Sequence, residues 1–164
     1  MKRSICIILI FMIIVTLLGC DSSSFDPVTF YYCRKPEEFQ YFESDGVIAS
    51  EGRDLTGHNR DLQYLVALYL AGPLDEELIS PFPRKTRLVH AAKDKHAVQI
   101  ELSDLGNSMT DAGFSLAAVC LAKTCISFVH VDEVTIRSGA RTITINTENV
   151  ILYDNSITDN TNGE

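Results

Sequence analysis

Behind Lys2 and Arg3, the fourteen residues from Ile5 to Leu18 carry no charge, and this run limits what the rest of the chain can be. As a helix it would span roughly 21 Å, short of the ~30 Å hydrocarbon core of a bilayer. A charged start, a short apolar stretch and a small residue after it form a secretory signal, which is removed from the mature protein. The fold must therefore be built from the residues after Gly19. In a chain of 164 residues that leaves room for one domain, made from an ordinary mixture of 46% apolar and 22% charged residues.

The run ends in Leu17-Leu18-Gly19-Cys20, which resembles the lipobox of bacterial lipoproteins. The resemblance implies cleavage before Cys20 and a diacylglyceryl group on its thiol. An ordinary signal peptide, with Cys20 unmodified, is the alternative. Residues 1–19 are then a lipoprotein signal peptide, and residues 20–26 a lipidated cysteine with a flexible tether. Asp21-Ser22-Ser23-Ser24 is too polar to pack. Two or three acyl chains exceed the one-chain limit for stable anchoring, so the mature protein is expected on the outer leaflet of the cytoplasmic membrane, tethered and extracytoplasmic. Lys2 and Arg3 leave with the signal and no acid does, which takes the net charge from −8 to −10. An acidic domain without basic runs lacks the footprint of a nucleic-acid binder, and the lipid rather than a basic patch must hold it at the membrane.

From Pro27 to Tyr153 the pattern reads as one α+β domain. Val28-Thr29-Phe30-Tyr31-Tyr32-Cys33 is β-branched and aromatic, a strand. Arg34 to His58 is polar and irregular, with a short strand at Val47-Ile48-Ala49-Ser50. Leu62, Leu65, Val66 and Tyr69 then share one helical face, with Asn59 as N-cap, Asp61 in the first turn and Gly72-Pro73 as the stop. Leu74 to Ile79 is expected as one more helical turn, favoured by Asp75-Glu76-Glu77 at its start. A hairpin turning at Asp94-Lys95 places Val89, Ala91, Val98, Ile100 and Leu102 on an apolar face, and His90, Gln99 and Glu101 on a polar one. A second helix over about Thr110–Phe128 carries a core stripe of Phe114, Ala118, Leu121, Cys125 and Phe128. Glu133–Arg137 and Thr142–Ile145 make a second hairpin around Ser138-Gly139-Ala140. The expected architecture is two helices packed on one face of a mainly antiparallel sheet, with a polar, disordered tail at 154–164.

Residue types that carry chemistry are present, but no spacing supports a catalytic assignment. Gly113-Phe114-Ser115-Leu116-Ala117 lacks the second glycine of a nucleophile elbow and falls inside a helix. His58, His90, His96 and His130 show no paired metal-ligand spacing, so no metal and no other cofactor is expected. Asp75-Glu76-Glu77 and Asp132-Glu133 lack calcium-loop spacing. Cys33, Cys120 and Cys125 remain after lipidation. Buried free thiols are the expected state, with a disulfide from Cys33 to one of the helical cysteines left open. Leu116, Val119 and Ile126 lie off the core stripe, an apolar flank for neighbouring elements or a partner to cover.

The ordered elements together resemble the GerMN domain. Leu65-Val66-Ala67-Leu68-Tyr69-Leu70-Ala71-Gly72-Pro73 is similar to its first helix and stop, and Glu76 to Thr86 to its acidic turn and proline-rich entry to the hairpin. Val98-Gln99-Ile100-Glu101-Leu102-Ser103 is similar to its central strand. Lys123 to Phe128 with Val131 to Ile136 is similar to its second helix and closing strand, and Thr29-Phe30-Tyr31-Tyr32 to its first strand. The family usually has a glycine where Asp94-Lys95-His96 stands, and a clear short strand within the region matching Arg34–His58. The resemblance implies a non-enzymatic module of bacterial membrane-anchored proteins linked to sporulation, spore germination and the cell envelope. Its partner would be an envelope protein, a second copy or peptidoglycan. A small envelope hydrolase or cell-wall-modifying enzyme is the alternative reading. No catalytic residue carries over.

Overall fold

The computed structural model describes residues 27–35, 46–55 and 61–147. The signal peptide, Cys20 and its tether, His58, Asn59 and the tail at 154–164 lie outside these residues. The strands are β1 (Val28–Arg34), β2 (Ile48–Arg53), β3 (Leu78–Ile79), β4 (Leu88–Asp94), β5 (Ala97–Leu102), β6 (Glu133–Ser138) and β7 (Arg141–Asn146), with helices α1 (Leu62–Leu70) and α2 (Asp111–Val129). The class is α+β, as expected, but the strands divide between two sheets, ordered β2-β1-β3 and β4-β5-β6-β7. All pairings are antiparallel except β5 with β6. A parallel pair needs a long crossover, and α2 supplies it.

Both helices begin at side-chain caps. The Asp61 carboxylate accepts from Gln63 N at 3.0 Å, so Asp61 is the N-cap itself and the helix starts later than an Asn59 cap would allow. Thr110 Oγ1 accepts from Gly113 N at 3.1 Å, as Asp111 in the first turn suggests. Leu62, Leu65, Val66 and Tyr69 of α1 are buried, as are Phe114, Ala118, Leu121, Cys125 and Phe128 of α2. The second helix also buries Ala117, Cys120, Ala122 and Thr124. It packs against β6 and β7 of one sheet and against β1 of the other, so it is apolar over more than one stripe. By length and composition α2 is apolar enough to cross a membrane, yet half of it is enclosed within the domain. Leu116, Val119 and Ile126 are partly buried against the core, which accounts for the off-stripe flank.

Two expectations about the first hairpin need correction. Asp94 pairs with Ala97 and Ala91 with Ile100, so the turn is Lys95-His96, one residue later than Asp94-Lys95. Lys95 adopts a φ of 46°, left-handed backbone at the place where the sequence lacks a glycine. Val89 is not on the apolar face: the register shifts between Leu88 and His90, and this bulge turns Val89 out to 61% exposure. Ala91, Val98, Ile100 and Leu102 remain buried, while His90, Gln99 and Glu101 face solvent.

Leu74 to Ile79 is a turn leading into β3 rather than a helical turn. Leu78 and Ile79 pair with Arg34 and Cys33, and Asp75 Oδ1 accepts from Glu77 N at 2.9 Å. The second hairpin turns at Gly139-Ala140, with Gly139 at a φ of +57°. A Cβ on Gly139 would sit 2.5 Å from Asp104 Oδ1, the oxygen that accepts from Gly106 N. Gly139→Ala should thus destabilise by about 1–3 kcal/mol, from left-handed strain and the displaced carboxylate. Gly106→Ala, at φ +45° but with open space around it, should lose only the strain part. Urea unfolding of both variants checks the difference, and equal losses would mean that Asp104 gives way without cost.

Candidate functional site

Glu51 and Arg53 are two residues apart on β2 and so project from the same face. Both reach the end of α1, where Gly72-Pro73 stops the helix. Arg53 is only 5% exposed, and a buried guanidinium needs partners for its donors. Its Nε donates to Glu51 Oε1 at 2.6 Å, and its Nη2 donates to Gly72 O at 2.6 Å and to the Tyr32 hydroxyl at 3.1 Å. The guanidinium carbon lies 4.6 Å from the centre of the Phe30 ring, a cation–π contact. Tyr32 in turn donates its proton to Tyr69 O at 3.1 Å. Burial raises the Tyr32 pKa far above the ordinary phenol range, and the nearby Arg53 charge offsets only part of that. The phenol therefore stays protonated and remains a donor.

The Glu51 carboxylate extends the brace across the turn. It accepts from Leu74 N at 3.0 Å and from Asp75 N at 2.8 Å. Carbonyl and amide groups on either side of Pro73 are thus tied to one ion pair, while Tyr69 stacks on Tyr32 with ring centres 4.8 Å apart. The fixed turn forms one wall of a groove of about 810 Å³. Pro73, Leu74, Ile79 and Phe82 give it an apolar lining, and Lys35 and Arg84 add positive charge. Leu74 stands 78% exposed on its lip, held outward by the backbone bonds to Glu51. Asp75 and Glu76 on the same wall balance that charge, so the arrangement is suited to receiving an apolar group with polar surroundings. Its strongest polar groups are engaged within the brace.

The residues weighed for chemistry do not converge on this groove. Ser115 donates to Asp111 O at 2.9 Å on the exposed side of α2. His96 Nδ1 lies 3.4 Å from Asp132 Oδ2, an exposed pair at the far end of the four-stranded sheet. His90 is exposed on β4, and His130 ends α2 in a left-handed conformation. Among the described residues no three His, Cys, Asp or Glu side chains gather as a metal set. Asp75 and Glu76 line the groove from the turn rather than from a helix start. The lipidation site, Cys20, lies outside the described residues.

Glu51 and Arg53 are the functional residues that sequence reasoning missed. The signal was there in a weak form: opposite charges two apart in a strand share a face and must be both solvated or both buried.

No protein-family model matches the chain, and no curated protein matches it. Among solved structures it is similar to the tandem GerMN domains of the sporulation protein GerM from Bacillus subtilis, at 15% identity and a TM-score of 0.47. That likeness covers 76% of this chain and 43% of the other, so the chain spans less than half of the tandem structure. It is also similar to a protein of Clostridium perfringens described as a candidate lipoprotein, at 12% identity and a TM-score of 0.40, over 75% of this chain and 88% of the other.

Proposed function

We propose that the protein is a lipid-anchored, extracytoplasmic lipoprotein carrying a non-enzymatic GerMN-like binding or assembly module. Its setting is the bacterial cell envelope, in sporulation, spore germination or envelope assembly. The observation that carries the binding role is the braced groove. Arg53 and Glu51 use their hydrogen bonds to hold Gly72-Pro73-Leu74 in place, which keeps an apolar lip in water where a partner can cover it. The anchoring role rests on Leu17-Leu18-Gly19-Cys20 directly after the short apolar run. The partner is assigned to the envelope because the anchor holds the domain there: an envelope protein, a second copy or peptidoglycan.

Mass spectrometry of the membrane fraction is expected to find a diacylated N-terminus at Cys20. An intact Met1, or cleavage elsewhere with release of a soluble chain, overturns the anchor. For the module, solubilised protein is titrated against envelope extracts and purified peptidoglycan. Saturable binding that weakens at least tenfold on Leu74→Asp is the expected result. Turnover of an envelope substrate, abolished by a single polar substitution, would identify the protein as an envelope enzyme instead.

A further inference from the structure

One edge of β1 is covered by α2 in place of a strand. β2 pairs along the other edge from Val28–Arg53 to Cys33–Ile48, whereas β3 reaches only Cys33 and Arg34. Along the remainder, helix side chains act as strand substitutes. Tyr31 N donates to Thr124 Oγ1 at 2.9 Å, and Ser127 Oγ donates to Thr29 O at 3.2 Å. This step of two residues along β1 matches three residues, close to one turn, backward along α2. The next rung of that ladder is Cys33 against Cys120, whose side chains lie close enough to interact. Both are buried free thiols. Cys125 is also buried, but it lies about 140° round the helix from Cys120, away from β1.

We propose that Cys33 and Cys120 form a strand-to-helix disulfide in the exported protein. The inference rests on the extracytoplasmic reading, because thiols are kept reduced in the cytoplasm. The oxidant is a disulfide, either that of a thiol oxidoreductase or glutathione disulfide. The Cys33 thiolate attacks one oxidant sulfur, the oxidant's S–S bond breaks, and its first thiolate leaves and takes up a proton. Cys120 then loses its proton and attacks Cys33 Sγ in the mixed disulfide, releasing the second oxidant thiol. Two protein thiols become one disulfide, and the oxidant gains the two electrons and two protons. Cys33 is 5% exposed and Cys120 is fully enclosed, so the oxidant meets Cys33 first, and Cys120, in contact with it, resolves the mixed disulfide. Cys125 has no such contact, and burial alone pushes its thiol up to about 12.

The test uses full-length protein extracted from membranes in detergent and equilibrated in a glutathione redox buffer. It is then unfolded in alkylating reagent and digested without reduction. A linked peptide pair containing Cys33 and Cys120, with Cys125 alkylated, is the expected result, and Cys125→Ser should retain the link. Reduction should lower the thermal midpoint by ~10 °C or more, because the bond closes a loop of about ninety residues. Alkylation of both Cys33 and Cys120, or a link through Cys125, overturns the proposal. The same mapping on acid-quenched cells separates the two readings. A bond that forms in buffer while the cellular protein stays reduced supports the pair and overturns the export on which the proposal rests.

Discussion

Arg53→Met is expected to cost the fold about 3–5 kcal/mol, a large share of the 5–15 kcal/mol that holds a typical domain together. The methionine keeps the apolar contact with Phe30 but removes every donor of the guanidinium. Gly72 O loses the partner it has at 2.6 Å, the Tyr32 hydroxyl loses the donor it has at 3.1 Å, and the Glu51 carboxylate is left largely enclosed without its cation. Removing one member of a buried pair costs far more than removing both, since the remaining charge is stranded. Arg53→Met with Glu51→Met should therefore cost less than the sum of the single variants, by about 1–3 kcal/mol of coupling. Glu51→Met alone also frees Leu74 N and Asp75 N, but those amides lie near the surface, where water replaces the carboxylate. Urea unfolding of the four proteins closes the cycle. Additive losses would mean that Arg53 and Glu51 act as separate surface charges, and the groove would lose its brace as an explanation.

How far the sequence reveals this molecule depends on whether a feature repeats within one element. Leu62, Leu65, Val66 and Tyr69 recur at helical spacing, as do Phe114, Ala118, Leu121, Cys125 and Phe128, so both buried stripes could be read directly. Strand partnership is different, because it links distant segments. Nothing in Val28–Arg34 says that it pairs with Ile48–Arg53 and Leu78–Ile79 in a sheet of its own, or that Ala97–Leu102 lies parallel to Glu133–Ser138. The first hairpin shows the limit of pattern alone. Turning at Lys95-His96 instead of Asp94-Lys95 changes every cross-strand partner but leaves Ala91, Val98, Ile100 and Leu102 on the same face. Apolar alternation cannot separate those two registers, and it has no symbol for the bulge that turns Val89 outward. The candidate site was hidden for a similar reason. Glu51-Gly52-Arg53 stands in the polar, irregular stretch beyond the expected strand Val47–Ser50, whereas β2 runs on to Arg53. The groups that make its burial tolerable, the Tyr32 hydroxyl on β1 and Gly72 O with the Leu74 and Asp75 amides in the turn after α1, come from two other parts of the chain.

Leu121→Ala tests the other end of the same logic and is expected to cost about 2–5 kcal/mol. Leu121 is fully enclosed at the middle of α2, the crossover that the parallel pairing of β5 with β6 requires. The lost methyl groups forfeit their transfer free energy, and the cavity adds a further cost because the surroundings relax only in part. Relaxation here is restricted on two sides. Thr124 and Ser127 bind the helix to the edge of β1, while Asp111, one helix end away, pairs with Arg141 of β7 at 3.0 Å. A helix held this way cannot slide to fill the space, which places the loss toward the upper part of the range. Alanine is the better helix former, so any gain in propensity works against the loss and cannot explain it. The contrast is Leu74→Ala, an equal change in chemistry at a position in water, which should shift stability by no more than about 0.5 kcal/mol. Comparing the two urea midpoints decides the role of the helix. A small loss at Leu121 would place that stripe of α2 in solvent or against a partner, and the domain would then need another core to hold its two sheets together.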